Sequence, residues 1–172
     1  RFDGEPLRQP SRWAAVQTLI AVGHATADSL FAAEVARDDT PEAERRAFIA
    51  GAARPAVEAK AEYLQRYLAD PALNEEWVTA SLGAFNHPLH AATVLPYLSQ
   101  ALERLPWIQQ NRRIFFLAQW VNAFVGVQGT REALDIVDEH LARHAELPLD
   151  LRRKVLQARD ELARTVQIRE AA

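Results

Sequence analysis

At 172 residues, 49% hydrophobic and 25% charged, the chain has the length and composition of one ordinary globular domain with room for a sizeable core. A formal net charge of −3, with acids and bases interspersed, carries neither a nucleic-acid footprint nor a polybasic membrane patch, so no nucleic acid and no membrane are expected as partners. The lack of cysteine excludes disulfides, thiolate metal sites and cysteine nucleophiles, and leaves the compartment open between cytoplasm, periplasm and secretion.

Arg1 to Pro10 hold a glycine and two prolines without an apolar period, and read as a linker from a preceding domain. The opening Arg-Phe-Asp-Gly-Glu-Pro resembles neither a signal peptide nor an initiator terminus, so the chain is expected to be part of something longer. Organisation is predicted from Ser11 to about residue 170, as a single helical domain. Ser11 is placed to cap a helix carrying Trp13, Val16, Leu19 and Ile20, with Gly23 as its stop. Thr26 then opens a helix whose Leu30, Phe31 and Val35 should point inward. Thr40-Pro41-Glu42 offers a cap, a proline at the first helical position and an acid in the first turn, and Arg54-Pro55 ends that helix and starts another. Val57, Lys60, Ala61, Leu64, Tyr67 and Leu68 make its stripe, with Glu62 and Arg66 four apart on the outside.

Asn74, followed by two glutamates, caps a shorter helix with Trp77, Ser81, Ala84 and Phe85 inward, ending at Asn86-His87-Pro88. Val94, Leu95, Leu98, Ala101, Leu102 and Leu105 keep the helical period, but Pro96 imposes a break near Thr93 to Pro96. Trp107 to Val125 is apolar on more than one side and is predicted to be one central, deeply buried helix. Gly126 and Gly129 close it, Thr130 caps the next, with Leu134, Val137 and Leu141, and Pro148 starts the last, with Leu151, Val155, Ala158, Leu162 and Val166. About nine helices joined by short links predict an all-α fold. The element order suits antiparallel hairpins stacked as a HEAT or armadillo-like α-superhelix, with a closed bundle as the alternative.

Chemistry-bearing constellations are sparse. His140 and His144, four apart on one helix, have a metal-binding spacing, but Leu141 stands where H-E-x-x-H needs its glutamate, and a solvated helix face is the favoured reading. Asn86, His87 and His90 cluster round Pro88; His87 is kept as a ligand-contact candidate beside the plainer reading of a turn brace. Gln109, Arg112, Gln119 and Asn122 recur along the central segment at spacings of three, seven and three, with Arg113 adjacent. Such a polar strip with a guanidinium suits a concave face that meets a peptide carboxylate bidentately; pairing with neighbouring acids is the competing reading. The tryptophans fall on apolar stripes, and Gly126-Val127-Gln128-Gly129 lacks the strand and lysine of a phosphate loop.

The runs Tyr67-Leu68-Ala69-Asp70-Pro71-Ala72-Leu73, Ala84-Phe85-Asn86-His87-Pro88, Leu95-Pro96-Tyr97-Leu98, Leu105-Pro106-Trp107-Ile108 and Arg112-Arg113-Ile114-Phe115-Phe116-Leu117 resemble a known family. It is the C-terminal helical domain of bacterial aminopeptidase N-type zinc metallopeptidases, shared with endoplasmic-reticulum aminopeptidases, and the resemblance runs from Ser11 to about Arg169. It implies a HEAT-like superhelix that caps the active-site cavity of a catalytic domain on the same polypeptide and gates peptide access. The zinc would belong to the parent enzyme: no cofactor is expected in this chain, no catalytic residue carries over, and the family's third ligand, nineteen residues beyond the second histidine, would fall here on Ala163. Basic side chains on the concave face of relatives hold the carboxyl end of a peptide, which marks Arg112 and Arg113. A stand-alone helical scaffold binding a protein partner is the alternative; a HEAT-like DNA-repair enzyme would need a basic groove that the net charge disfavours.

Overall fold

The computed structural model describes residues 6–70 and 72–171, with the side chain of residue 114 left aside. Every regular element among them is helical. In chain order these are α1 (Gln9–Ala21), α2 (Ala27–Arg37), α3 (Ala43–Gly51), α4 (Val57–Ala69), α5 (Glu75–Phe85), a 3-10 turn at Pro88–His90, α6 (Ala91–Val94), a 3-10 turn at Leu95–Tyr97, α7 (Leu98–Glu103), α8 (Leu105–Asn111), α9 (Ile114–Gly126), α10 (Arg131–Arg143) and α11 (Leu149–Glu170). They gather into two compact units, one ending at Leu89 and one starting at His90.

In the first unit α1 packs on α2 and α3, and α3 on α5. The expected linker lies outside the described residues as far as Glu5. Helix α1 starts at Gln9 with Pro10 in its first turn, so Ser11 lies inside the helix rather than capping it. Trp13, Val16 and Ile20 are buried as the period requires, and Gly23 takes the left-handed φ of 66° expected at a helix stop. Helix α2 turns a different face inward. Leu30 and Val35 are 42% and 46% exposed, whereas Glu34 is buried, because Arg12 holds its carboxylate through Nε at 2.7 and 3.0 Å. Thr40 does not cap α3, which begins three residues later. Its hydroxyl and backbone N–H both donate to the carboxylate of Asp38, at 2.7 and 3.1 Å, and are drawn back toward α2.

Asp38 also accepts from the indole Nε1 of Trp13 at 2.6 Å and from Gln9 Nε2 at 2.7 and 2.8 Å. Burial pushes this carboxyl up, but the hydrogen bonds from Trp13, Thr40 and Gln9 outweigh it and hold Asp38 well below the usual carboxylate range. Helix α4 buries Lys60, Tyr63, Leu64 and Tyr67, while Val57 at its start is exposed. Arg66 lies over the rings of Phe48 and Tyr63, 4.7 and 5.7 Å from their centroids. Gly51 is required by a close approach: a Cβ there would collide with the Tyr63 hydroxyl, which donates to the carbonyl of Phe48 at 2.8 Å. Asn74 caps α5 as expected, accepting from the N–H of Glu76 at 2.7 Å.

In the second unit α9 and α10 pack on α11, and α10 on α7. The break near Pro96 is present as the 3-10 turn between α6 and α7. The segment from Trp107 to Val125 is not one helix. Helix α8 ends at Asn111, Arg112 and Arg113 are extended with ψ of 162° and 151°, and α9 begins at residue 114. Asn111 turns its side-chain amide onto the carbonyl of Trp107 at 2.9 Å, a local bond that competes with helix propagation and favours termination. On α9, Phe116, Leu117, Trp120, Val121, Phe124 and Val125 are buried, but Phe115 is 76% exposed. Thr130 caps α10, accepting from the N–H of Ala133 at 3.2 Å, and the predicted stripe of α11 is buried throughout.

Lys60 is the most demanding group in the first unit. Its ammonium, 1% exposed, donates to the carbonyls of Ala52 at 2.8 Å and Phe85 at 2.6 Å, at the ends of α3 and α5. Burial pulls its titration from 10.5 down to about 7. Below that value the ammonium is charged in both states and folding carries the full cost of burying it. From about pH 7 to 10 the folded chain binds fewer protons than the unfolded one, so this group makes stability rise with pH. Lys60→Met should flatten that rise in denaturant midpoints measured across the window; an unchanged slope would show that Lys60 is not its source. Asp38 works on the acid side: its contribution is present above about pH 4, its unfolded value, and is lost as pH falls further. Asp38→Asn should lower the neutral-pH melting temperature, and the gap from the unaltered chain should narrow on acidification.

Candidate functional site

The α8–α9 break places three predicted residues around one cavity of about 370 Å³, lined by Gln109, Arg112, Arg113, Leu117, Asp150 and Lys154. Extended backbone at two successive arginines turns their side chains off the helical stripe. Arg112 lies over Trp107 and Phe116, its guanidinium carbon 5.3 and 5.8 Å from the ring centroids, so that its position is set by aromatic faces. Gln109 donates from Nε2 to Asp150 Oδ2 at 2.7 Å, joining α8 to the first turn of α11. Three cationic side chains thus line the cavity together with Asp150, which accepts from Gln109.

Gln119 and Asn122 belong to a different place. Both are exposed on α9, and neither lines this cavity, because the extended link resets the helical register assumed in extending the strip from Gln109. His87 lies in the first unit, where its Nδ1 accepts from the N–H of Leu89 at 3.3 Å, bracing the turn that follows α5. The sequence reading missed Asp150 and Lys154. Their spacing of four at the start of α11 was the available signal, but nothing in it says which helix they face.

A second cluster gathers round His140 and His144, whose ring centroids are 4.6 Å apart at the end of α10. The solvated face expected there is half right: His144 is partly exposed, but His140 is buried. Glu103, the last residue of α7, brings a carboxylate to both. Its Oε1 is 3.4 Å from His140 Nδ1, and its Oε2 is 3.0 Å from His144 Nε2. Burial opposes the charge on Glu103, but hydrogen bonding with His144 and His140 outweighs it and keeps the carboxyl below its ordinary range. Burial likewise pulls His140 down, against the partial opposition of Glu103, and favours the neutral imidazole. Arg143 Nη1 donates to Glu103 Oε1 at 3.1 Å, and Arg143 Nε lies 3.6 Å from Glu139 Oε1. Glu103 is 37 residues from His140, so no local pattern could have announced it.

The profile of the family described as "ERAP1-like C-terminal domain" matches residues 2–164. The chain belongs to that family. It is also 33% identical over 161 residues to a protein named Aminopeptidase N from Streptomyces lividans, a match that covers 93% of this chain and 19% of that relative. The chain therefore spans about a fifth of the length of the relative it resembles. It carries no H-E-x-x-H, and the His140–His144 pair has Leu141 in place of the glutamate, so the residues present do not fit the catalytic zinc centre that the family's parent enzymes imply.

Proposed function

We propose that this chain is the non-catalytic C-terminal domain of a zinc aminopeptidase, in which it caps the active-site cavity and gates peptides on their way to the metal. The observation that carries the reading is the cavity at the α8–α9 break, where Arg112, Arg113 and Lys154 converge in a chain of the ERAP1-like family. A peptide trimmed from its amino end always keeps a free carboxylate at the other, and guanidinium and ammonium donors are the groups that recognise it. Arg112, steadied over Trp107 and Phe116, is the directional member, and Arg113 and Lys154 add charge. The catalytic domain of the same polypeptide is the partner, and it supplies the zinc, the general base and the amine-binding residues. Stacking of the helical hairpins as a HEAT-like superhelix would give the domain the concave face that this role needs.

The test is kinetic and uses the full-length enzyme. Arg112→Ala and Lys154→Ala should raise KM for peptides with a free carboxyl terminus by about tenfold, the order expected for one charge-assisted hydrogen bond. The same peptides amidated at that end, and single amino acid amides, should be handled as by the unaltered enzyme. Equal kinetics on acid and amide peptides in both variants would remove the carboxylate-binding role.

A further inference from the structure

We propose that Glu103, His140 and His144 form a binding site for one divalent transition-metal ion of the zinc type, tying α7 to the end of α10. It stands apart from the peptidase reading, since neither the cavity at Arg112 nor a catalytic zinc enters it. One ligand atom from each of the three side chains lies within 4.8 Å of the others, the compactness a shared ion needs.

The spacings are also compatible with coordination. Glu103 Oε1 and His140 Nδ1 are 3.4 Å apart, a long hydrogen bond. Two ligands on a tetrahedral zinc, with bonds of about 2.0–2.2 Å, sit ~3.4 Å from each other. His144 Nε2, at 3.0 Å from Oε2 and 3.1 Å from Oε1, is within a few tenths of the same arrangement. His140 is buried at 1% exposure, so its ring is held in place, and its Nε2 has no hydrogen-bond partner. An ion on Nδ1 exchanges that long contact for a coordinate bond, while Nε2, on the other side of the ring, keeps its N–H. Glu146 Oε1 lies 3.6 Å from His144 Nδ1, a carboxylate near the ring's other nitrogen but beyond hydrogen-bond length.

The donor set selects the ion. Two imidazoles and one carboxylate suit zinc, cobalt, nickel or copper; magnesium and calcium require all-oxygen shells. Glu103 is 41% exposed on its side chain, which leaves room for water in the fourth position. Arg143 opposes the ion: its guanidinium donates to Glu103 Oε1 and repels a cation there. Bound there, the ion braces the fold by joining the end of α7 to the end of α10.

The experiment is titration of the metal-stripped 172-residue chain with zinc chloride by calorimetry, and with cobalt(II) chloride by visible absorption. One ion per chain is expected, with the intense bands of four-coordinate cobalt, and with a melting temperature raised by zinc but not by magnesium. His144→Ala, a change at the exposed end of α10, should weaken binding by about tenfold or more, and Glu103→Gln similarly. Arg143→Gln should tighten it, an effect of opposite sign that misfolding cannot mimic. Absence of binding, or zinc affinity undiminished in His144→Ala, would overturn the assignment, the second outcome placing the ion elsewhere on the chain.

Discussion

Helices this short have a cost at their ends, and the way that cost is met shapes both units. The eleven α-helices among the described residues run from 4 to 22 residues, and each leaves carbonyls at its C-terminus without an intrahelical donor. Where those ends are buried, water is not available, and long polar side chains take its place. Lys60 serves α3 and α5 together, and Tyr63 adds a donor to α3. Trp120 donates from Nε1 to Ala101 in α7 at 3.0 Å, and Arg152 to the carbonyls of Leu141 and His144 at 3.1 and 3.4 Å. Each of these side chains answers a carbonyl at or near a helix end, and Lys60, bonded to two of them, is nearly inaccessible in the first unit.

The same constraint positions the functional groups. Arg112 and Arg113 meet the cavity because α8 stops early and the link to α9 is extended, which frees two adjacent side chains from the helical repeat. Aromatic faces then do for Arg112 what packing does for an apolar side chain, limiting its rotamers without withdrawing its charge. The Glu103 cluster likewise depends on helix ends: Glu103 closes α7, and His144 follows the last residue of α10.

Within one chain, then, two polar sites of different character are built from terminal turns. One gathers Arg112, Arg113 and Lys154 at an open cavity. The other gathers a carboxylate and two imidazoles, one of them buried. The family to which the chain belongs fixes neither of them by a signature, because the zinc-peptidase pattern of histidines and glutamate is not in this sequence.

The sequence by itself determined the helical class, the family, most helix boundaries and the buried stripes, because these follow from local periodicity and from caps such as Asn74, Thr130 and Gly23. It also marked Gln109, Arg112 and Arg113, which the structure brings to one cavity, and His140 with His144 as a spaced pair. It misjudged α2, where a buried Arg12–Glu34 pair turned the expected apolar residues outward, and the central segment, where Asn111 ended a helix that hydropathy alone continues. Only the tertiary structure decided that Asp150 and Lys154 join the arginines and that Glu103 joins the histidines. Contacts across 37 to 41 residues depend on which helix faces are packed together, and a period read along one helix carries no information about its neighbour.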